Sequence, residues 1–148
     1  GAMREAEGSR LKADLLNKLD GIEALLAQVE EKAPQLRQEY YDRLYQRLSE
    51  VLQDKNIDET RLVTEAAIFA DRVAVDEETV RLKSHLHQFR EFLESDGPIG
   101  KKLDFLIQEM NRETNTIGSK AQNLAIAKVV VEMKSEIEKI REQIQNIE

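Results

Sequence analysis

The stretch VDEETVRLKSHLHQF, Val75–Phe89, places an acid, a guanidinium and an imidazole along one helical stripe. Glu78, Arg81 and His85 stand at i, i+3 and i+7, and Glu77 also reaches Arg81 at i+4. These are the components of phosphodiester cleavage. A carboxylate can hold a divalent metal, an arginine can grip phosphate in a fork, and a histidine can move a proton near neutral pH. His87 lies two residues beyond His85, about 200° away around a helix, and belongs to the surface rather than to the same site. The same spacing also describes a solvated ion-pair ladder with one histidine, and such pairs are individually worth little.

A second stretch, LDFLIQEMNRETNTIGSK (Leu103–Lys120), carries an apolar stripe of Leu103, Leu106, Ile107, Met110 and Ile117 at helical spacing. Beside that stripe run Asp104, Gln108, Asn111 and Asn115, flanked by Glu109, Arg112 and Glu113. Amides are modest helix formers, so a run of them on one face calls for a reason. Two accounts are open: donors and acceptors aimed at a polar ligand, or a buried network that sets the register between helices. Ser119 and Lys120 follow Gly118, a position where a new helix start would offer backbone N–H groups to a phosphate. Arg4-Glu5-Ala6-Glu7-Gly8 is a weaker third cluster, whose two carboxylates diverge on a helix. No glycine-rich phosphate loop, histidine-rich metal motif or serine nucleophile elbow is present.

The elements that must position these residues are helical. The chain has 148 residues, a net charge of −7 and no cysteine, which excludes a disulfide scaffold and thiolate chemistry. No apolar run approaches the ~20 residues of a membrane span and no signal peptide is visible, so the reading is a cytoplasmic chain with no membrane partner. The acidic balance argues against tight nonspecific nucleic-acid binding by this chain alone. Gly1-Ala2-Met3 reads, at least in part, as an expression scar.

The fold class is all-α: long amphipathic helices with helical hairpins. Leu11, Leu15, Leu19, Ile22, Leu26 and Val29 mark a first helix over 4–32. Pro34 suits the first turn of a second, with Leu36, Tyr40, Leu44, Leu48 and Val51 as its apolar face, making residues 4–57 a long hairpin. DKNID (54–58) reads as a loop with Asp58 as N-cap. Residues 58–148 form a C-terminal helical domain. Its helices are expected near 59–73, from an Asp76 cap to about Leu93, from the Ser95–Gly100 breaker cluster to near Gly118, and from Ser119 onward. On the last helix Val130, Met133, Ile137, Ile140, Ile144 and Ile147 alternate spacings of 3 and 4, a coiled-coil-like seam. It would join three or more parallel chains or pack on the first helix within one chain.

Taken together, MREAEG at 3–8, EETVRLKSHLHQFR at 77–90, GKKLDFLIQEMNRETNTIGSKAQN at 100–123 and the closing IEKIREQIQNIE resemble the YicC-like bacterial stress-induced endoribonucleases over essentially the whole chain. The resemblance implies a metal-dependent endoribonuclease acting on single-stranded RNA. It implies ring-like homo-oligomers, hexamers in form, and an N-terminal domain upstream of MREAEG. The family's acidic and polar motif positions fall on Glu5, Glu7, Glu65, Asp71, Glu78, Arg81, His85, Asp104, Gln108, Glu109, Asn111, Arg112 and Lys120.

On that basis Glu78, Asp104 and Glu109 are assigned as carboxylate ligands of Mn2+ or Mg2+, since hard cations prefer oxygen. His85 is assigned as proton carrier beside Glu78 and Arg81, and Arg112, Lys120, Gln108 and Asn111 as RNA contacts. The alternative from a different class is a non-catalytic oligomerisation scaffold or an adaptor to RNA-decay machinery. The apolar faces exceed what a monomer of this length needs, so light scattering at micromolar concentration is expected to return a multiple of the chain mass; a clean monomer contradicts self-association.

Overall fold

The computed structural model describes residues 2–53, 58–95 and 97–147, with residues 2–6 and 147 described in backbone only. The expected loop at 54–57, the side chains of the Arg4–Glu5 cluster and Ile147 of the seam therefore lie outside the description. Five helices make up the described chain: α1 (Ala2–Val51), α2 (Glu59–Arg72), α3 (Asp76–Glu94), α4 (Gly100–Ala121) and α5 (Leu124–Ile147). The all-α expectation holds.

Ion pairs record the directions of the helices. Lys12 meets Glu94, Arg90 meets Asp20 and Glu23, and Lys83 meets Glu30, so α3 runs antiparallel to α1. Lys120 meets Glu78 and Arg81 meets Glu113, so α4 runs antiparallel to α3. Gly21 and Leu25 face Glu132, Ser135 and Glu136, so α5 descends along α1. Neighbours are α1–α3, α3–α4, α4–α5 and α5–α1, which is an up-down-up-down four-helix bundle. The second half of α1 runs on past the bundle and pairs with α2, where Arg37 contacts Asp71 and Tyr45 donates to Glu59.

On α1, α4 and α5 the core is the one written in the periodicities; the α3 side chains join it without having been expected. Leu15, Leu19, Ile22, Leu26 and Val29 of α1 meet Leu82, Leu86 and Phe89 of α3, Leu103, Leu106, Ile107, Met110 and Ile117 of α4, and Val130, Met133, Ile137, Ile140 and Ile144 of α5. The isoleucine seam is thus buried inside its own chain against α1, the second of its two expected fates. Asp58 caps α2 by accepting from the Thr60 N–H. At α3 the N-cap is Val75, one residue earlier than the Asp76 cap expected, so Asp76, Glu77 and Glu78 all fall in the first turn.

Two breaker residues do not break. Pro34 sits inside α1, so the hairpin expected over 4–57 is instead one continuous helix of 50 residues. An internal proline costs about 3 kcal/mol. Here it is outweighed by packing on both sides, the bundle before it and α2 after it, with Ala33 buried at the junction. Gly118 likewise lies within α4. A Cβ there would stand 3.2 Å from Val130 Cγ1, so the missing side chain is what lets α5 approach. The true end of α4 is Gln122, left-handed at φ 46, after which Asn123 Oδ1 accepts from the Ile126 N–H to cap α5. Ser119 and Lys120 consequently belong to the last turn of α4, not to a new helix start open to phosphate.

Phe89 is fully buried between these layers. Phe89→Ala is expected to lower stability by about 3–5 kcal/mol, read as a lower urea midpoint at constant slope; a loss below about 1 kcal/mol contradicts this core.

Candidate active site in the α3–α4 seam

Antiparallel packing sets the stripe of α3 against an edge of α4 in descending order. Glu78 stands opposite Lys120, Arg81 opposite Glu113, and His85 opposite Glu109 and Glu113. Each partner on α4 falls beside the apolar stripe, because Glu109, Glu113 and Lys120 are spaced by 4 and 7. The row is therefore half sunk into the core. Glu78 is 2 % and Glu113 4 % exposed, while the Arg81 side chain is 49 % exposed.

Lys120 Nζ donates to Glu78 Oε1 at 2.6 Å, and Arg81 Nη2 lies 3.5 Å from the same oxygen. Arg81 Nε donates to Glu113 Oε2 at 3.2 Å, and Arg81 Nη1 is 3.6 Å from Glu77. That hydrogen bond, together with the Glu113 charge, holds the Arg81 guanidinium above its ordinary pKa. Arg81 thus fixes the Glu113 carboxylate in place.

The next position along the row is different in kind. One ligand-type atom from each of His85, Glu109 and Glu113 lies within 4.8 Å of the others. Both ring nitrogens of His85 are buried, and neither has a hydrogen-bond partner among the described residues. Glu78 Oε2 is likewise buried and unpartnered. Buried polar atoms are almost always satisfied, so an imidazole with two free nitrogens beside two carboxylates marks a place where a cation or a polar ligand belongs. Four carboxylates (Glu77, Glu78, Glu109, Glu113) stand against two cations (Arg81, Lys120), an imbalance of the same sign.

The residues expected from sequence divide clearly. His85, Glu78, Arg81, Glu109 and Lys120 share the seam. Arg112 is exposed, three residues from Glu109 and on the same side of α4. Asp104, Gln108 and Asn111 are exposed elsewhere: Gln108 Nε2 donates to Asp104 Oδ2 at 3.2 Å, and the Asp104 charge acts on Arg141 of α5. Asp104 and Glu113, nine residues apart, point in directions about 180° different. The expected ligand set of Glu78, Asp104 and Glu109 is corrected accordingly: Asp104 is on another face, Glu78 is engaged by Lys120, and only Glu109 stands in the His85 cluster. The amide stripe is not a buried register network either, since Gln108, Asn111 and Asn115 are exposed. Asp71 pairs with Arg37 and Glu65 is exposed, both on the α1–α2 hairpin, and Glu7 is exposed on α1.

Glu113 was missing from the expected set. A signal for it existed: Glu109 and Glu113 are like charges at i, i+4, unfavourable on an isolated helix unless something cationic faces them.

Residues 29–148 match the family described as "Endoribonuclease YicC-like, C-terminal". The chain belongs to this family. It is 49 % identical over 147 residues to "Probable endoribonuclease YicC" of Clostridioides difficile (strain 630) and 40 % identical over 147 residues to the protein of the same description from Haemophilus influenzae. Each alignment covers 99 % of this chain and 50 % of the relative, so the chain spans about half the length of the relatives it matches.

Lys120 is the partner of a buried carboxylate. Lys120→Met is expected to cost about 3 kcal/mol, the low end for breaking a buried pair because Arg81 remains nearby. Adding Glu78→Gln should recover most of that loss. A single substitution without cost, in thermal or urea unfolding, contradicts the pairing.

Proposed function

We propose that this chain is the C-terminal part of a divalent-metal-dependent endoribonuclease that cleaves single-stranded RNA, with its reaction centre at His85, Glu109 and Glu113. The observation that carries the reading is the pair of His85 ring nitrogens, both buried and without a hydrogen-bond partner among the described residues, beside two carboxylates. The relatives' names supply the reaction class.

The donor set fits a divalent ion: two carboxylates and an imidazole converge, and the imidazole favours Mn2+ over the more strictly oxygen-seeking Mg2+. His85, Glu109 and Glu113 would hold it. Such an ion supplies Lewis-acid polarisation of a phosphoryl oxygen.

The chain's own groups do the rest. Arg81 orients Glu113 through Nε and keeps its half-exposed outer face toward solvent, where guanidinium N–H groups can bind a phosphate. His85 has a second ring nitrogen to hold or move a proton; it is buried here, so the ribose 2′-hydroxyl or a water reaches it only where the seam opens. Arg112 offers a cation beside Glu109 for a neighbouring phosphate. Glu78, neutralised by Lys120, positions Arg81. The proposal includes self-association, for which the projecting α1–α2 hairpin presents Val63, Ile68 and Phe69 at its surface. It also places the protein in the cytoplasm; no helix among the described residues is long and apolar enough to cross a membrane.

A scaffold without catalysis needs the row to be a closed ion-pair network, and His85 leaves it open. The test is cleavage of a labelled single-stranded RNA by the full-length protein. EDTA should abolish it and Mn2+ restore it. His85→Ala should lower kcat/KM by about 100-fold or more, and Asp104→Asn should leave it within a few-fold. Cleavage that survives EDTA, or that Asp104→Asn abolishes while His85→Ala spares it, overturns the assignment. A 2′,3′-cyclic phosphate on the product identifies the 2′-hydroxyl as nucleophile.

A further inference from the structure

A cavity of about 460 Å3 opens where the Pro34 region of α1, the α2–α3 break and the α4–α5 turn meet. Its size falls within the usual range for small-ligand sites, about 300–1,000 Å3. None of the residues assigned to the reaction lines it. Its walls include the Tyr40 and Tyr41 rings, the Arg37 and Arg43 guanidinium groups and three side-chain amides, Gln122 and Asn123 among them, with two carboxylates, Glu39 and Asp76, beside them. The Tyr41 ring is itself held by Tyr45, with centroids 6.2 Å apart and planes 23° from parallel. Arg37 is engaged by Asp71, whereas Arg43 is exposed.

We infer that this cavity is a nucleotide subsite, taking one base of a single-stranded RNA against the Tyr40–Tyr41 rings with its phosphate toward Arg43. The inference rests on the nuclease reading for the identity of the ligand. Three observations support it. Stacking on an ordered aromatic ring is the sequence-tolerant way to hold an unpaired base. Amide side chains such as Gln122 and Asn123 supply both donors and acceptors for a base edge, although Asn123 Oδ1 is already committed to the α5 cap. Gln122 takes up a left-handed backbone conformation, φ 46, where glycine or asparagine is more usual. A long amide side chain at this left-handed position, on the cavity wall, is placed where a ligand contact would use it.

The cavity also adjoins the reaction seam along the chain. Ala121 and Gln122 directly follow Lys120, and Asp76 precedes Glu78 by two residues; all three line the cavity. From Glu78 to His85 is seven residues, about 10 Å along α3, or about three nucleotides at a stacked rise of ~3.4 Å. A base seated in the cavity therefore sets the register of the strand and cleavage falls at a fixed offset from it.

The test uses this chain in EDTA, so that binding is read without turnover. Adenosine and uridine 5′-monophosphates are titrated while backbone amide shifts are followed by NMR, with inorganic phosphate as the parallel arm. Saturable shifts at Tyr40, Tyr41, Gln122 and Asn123 are expected with at least one nucleotide, and much weaker binding of phosphate. Tyr41→Ala should weaken nucleotide affinity about tenfold or more and Tyr41→Phe should preserve it. Should Tyr41→Ala fail to fold, Gln122→Gly keeps the left-handed backbone and removes the amide, and it too should weaken binding. Shifts confined to other residues, equal affinity for phosphate alone, or unchanged affinity in a folded variant overturn the inference. EDTA-sensitive RNA cleavage without nucleotide binding sinks this subsite alone; nucleotide binding without any cleavage by the full-length protein sinks the nuclease reading alone.

Discussion

The two-point grip of Arg81 on buried carboxylates, Glu113 across the seam and Glu78 on its own helix, is the constraint on which the site depends. Placing Glu113 at 4 % exposure is costly for a charge unless it is paired and hydrogen-bonded. Arg81 satisfies that demand from the neighbouring helix and so locks the register of α3 against α4. In that register His85 lies beside Glu109 and Glu113. The unusual feature of the row is that its pairing stops there: Glu78 and Arg81 have charged partners on α4, and the two His85 ring nitrogens have no hydrogen-bond partner among the described residues.

The bundle explains why the seam is stiff enough to hold such an arrangement. Leu82, Leu86 and Phe89 on α3 interleave with Leu103, Leu106 and Met110 on α4, one helical edge away from the charged row. Close packing of this kind tolerates little displacement. The glycine at 118 brings α5 against the back of α4, while the uninterrupted α1 spans both the bundle and the α1–α2 hairpin. The hairpin, the α2–α3 break and the α4–α5 turn then enclose the adjoining cavity, so the proposed reaction centre and the proposed base subsite are consequences of one packing scheme.

Much of this was legible from the residues. Apolar periodicity marked most core side chains of α1, α4 and α5, because 3.6-residue spacing is the strongest local signal a bundle writes; on α3 the charged stripe drew the reading instead, and Leu82, Leu86 and Phe89 were not singled out. The Glu78–Arg81–His85 stripe was legible for the same reason. Pro34 and Gly118 misled because breaker propensities are local, a few kcal/mol at most, and tertiary packing overrode them. Asp104 was a different kind of error. It lies five residues from Glu109, about 140° around a helix, so the spacing itself separates the two. Glu113 was hidden because its significance lies in what faces it, which only the α3–α4 register reveals. The isoleucine seam looked capable of joining separate chains, and nothing local distinguishes that from its actual burial against α1.

The central claim is that His85, Glu109 and Glu113 form a cation site. Its most direct measurement is anomalous diffraction from crystals of this chain equilibrated with Mn2+. The account predicts a single strong peak between α3 and α4, within bonding distance of one His85 ring nitrogen and of oxygens from Glu109 and Glu113. A peak on the Asp104–Gln108 face instead, or an ordered seam at saturating Mn2+ in which His85 takes up a hydrogen bond and no ion appears, would contradict it.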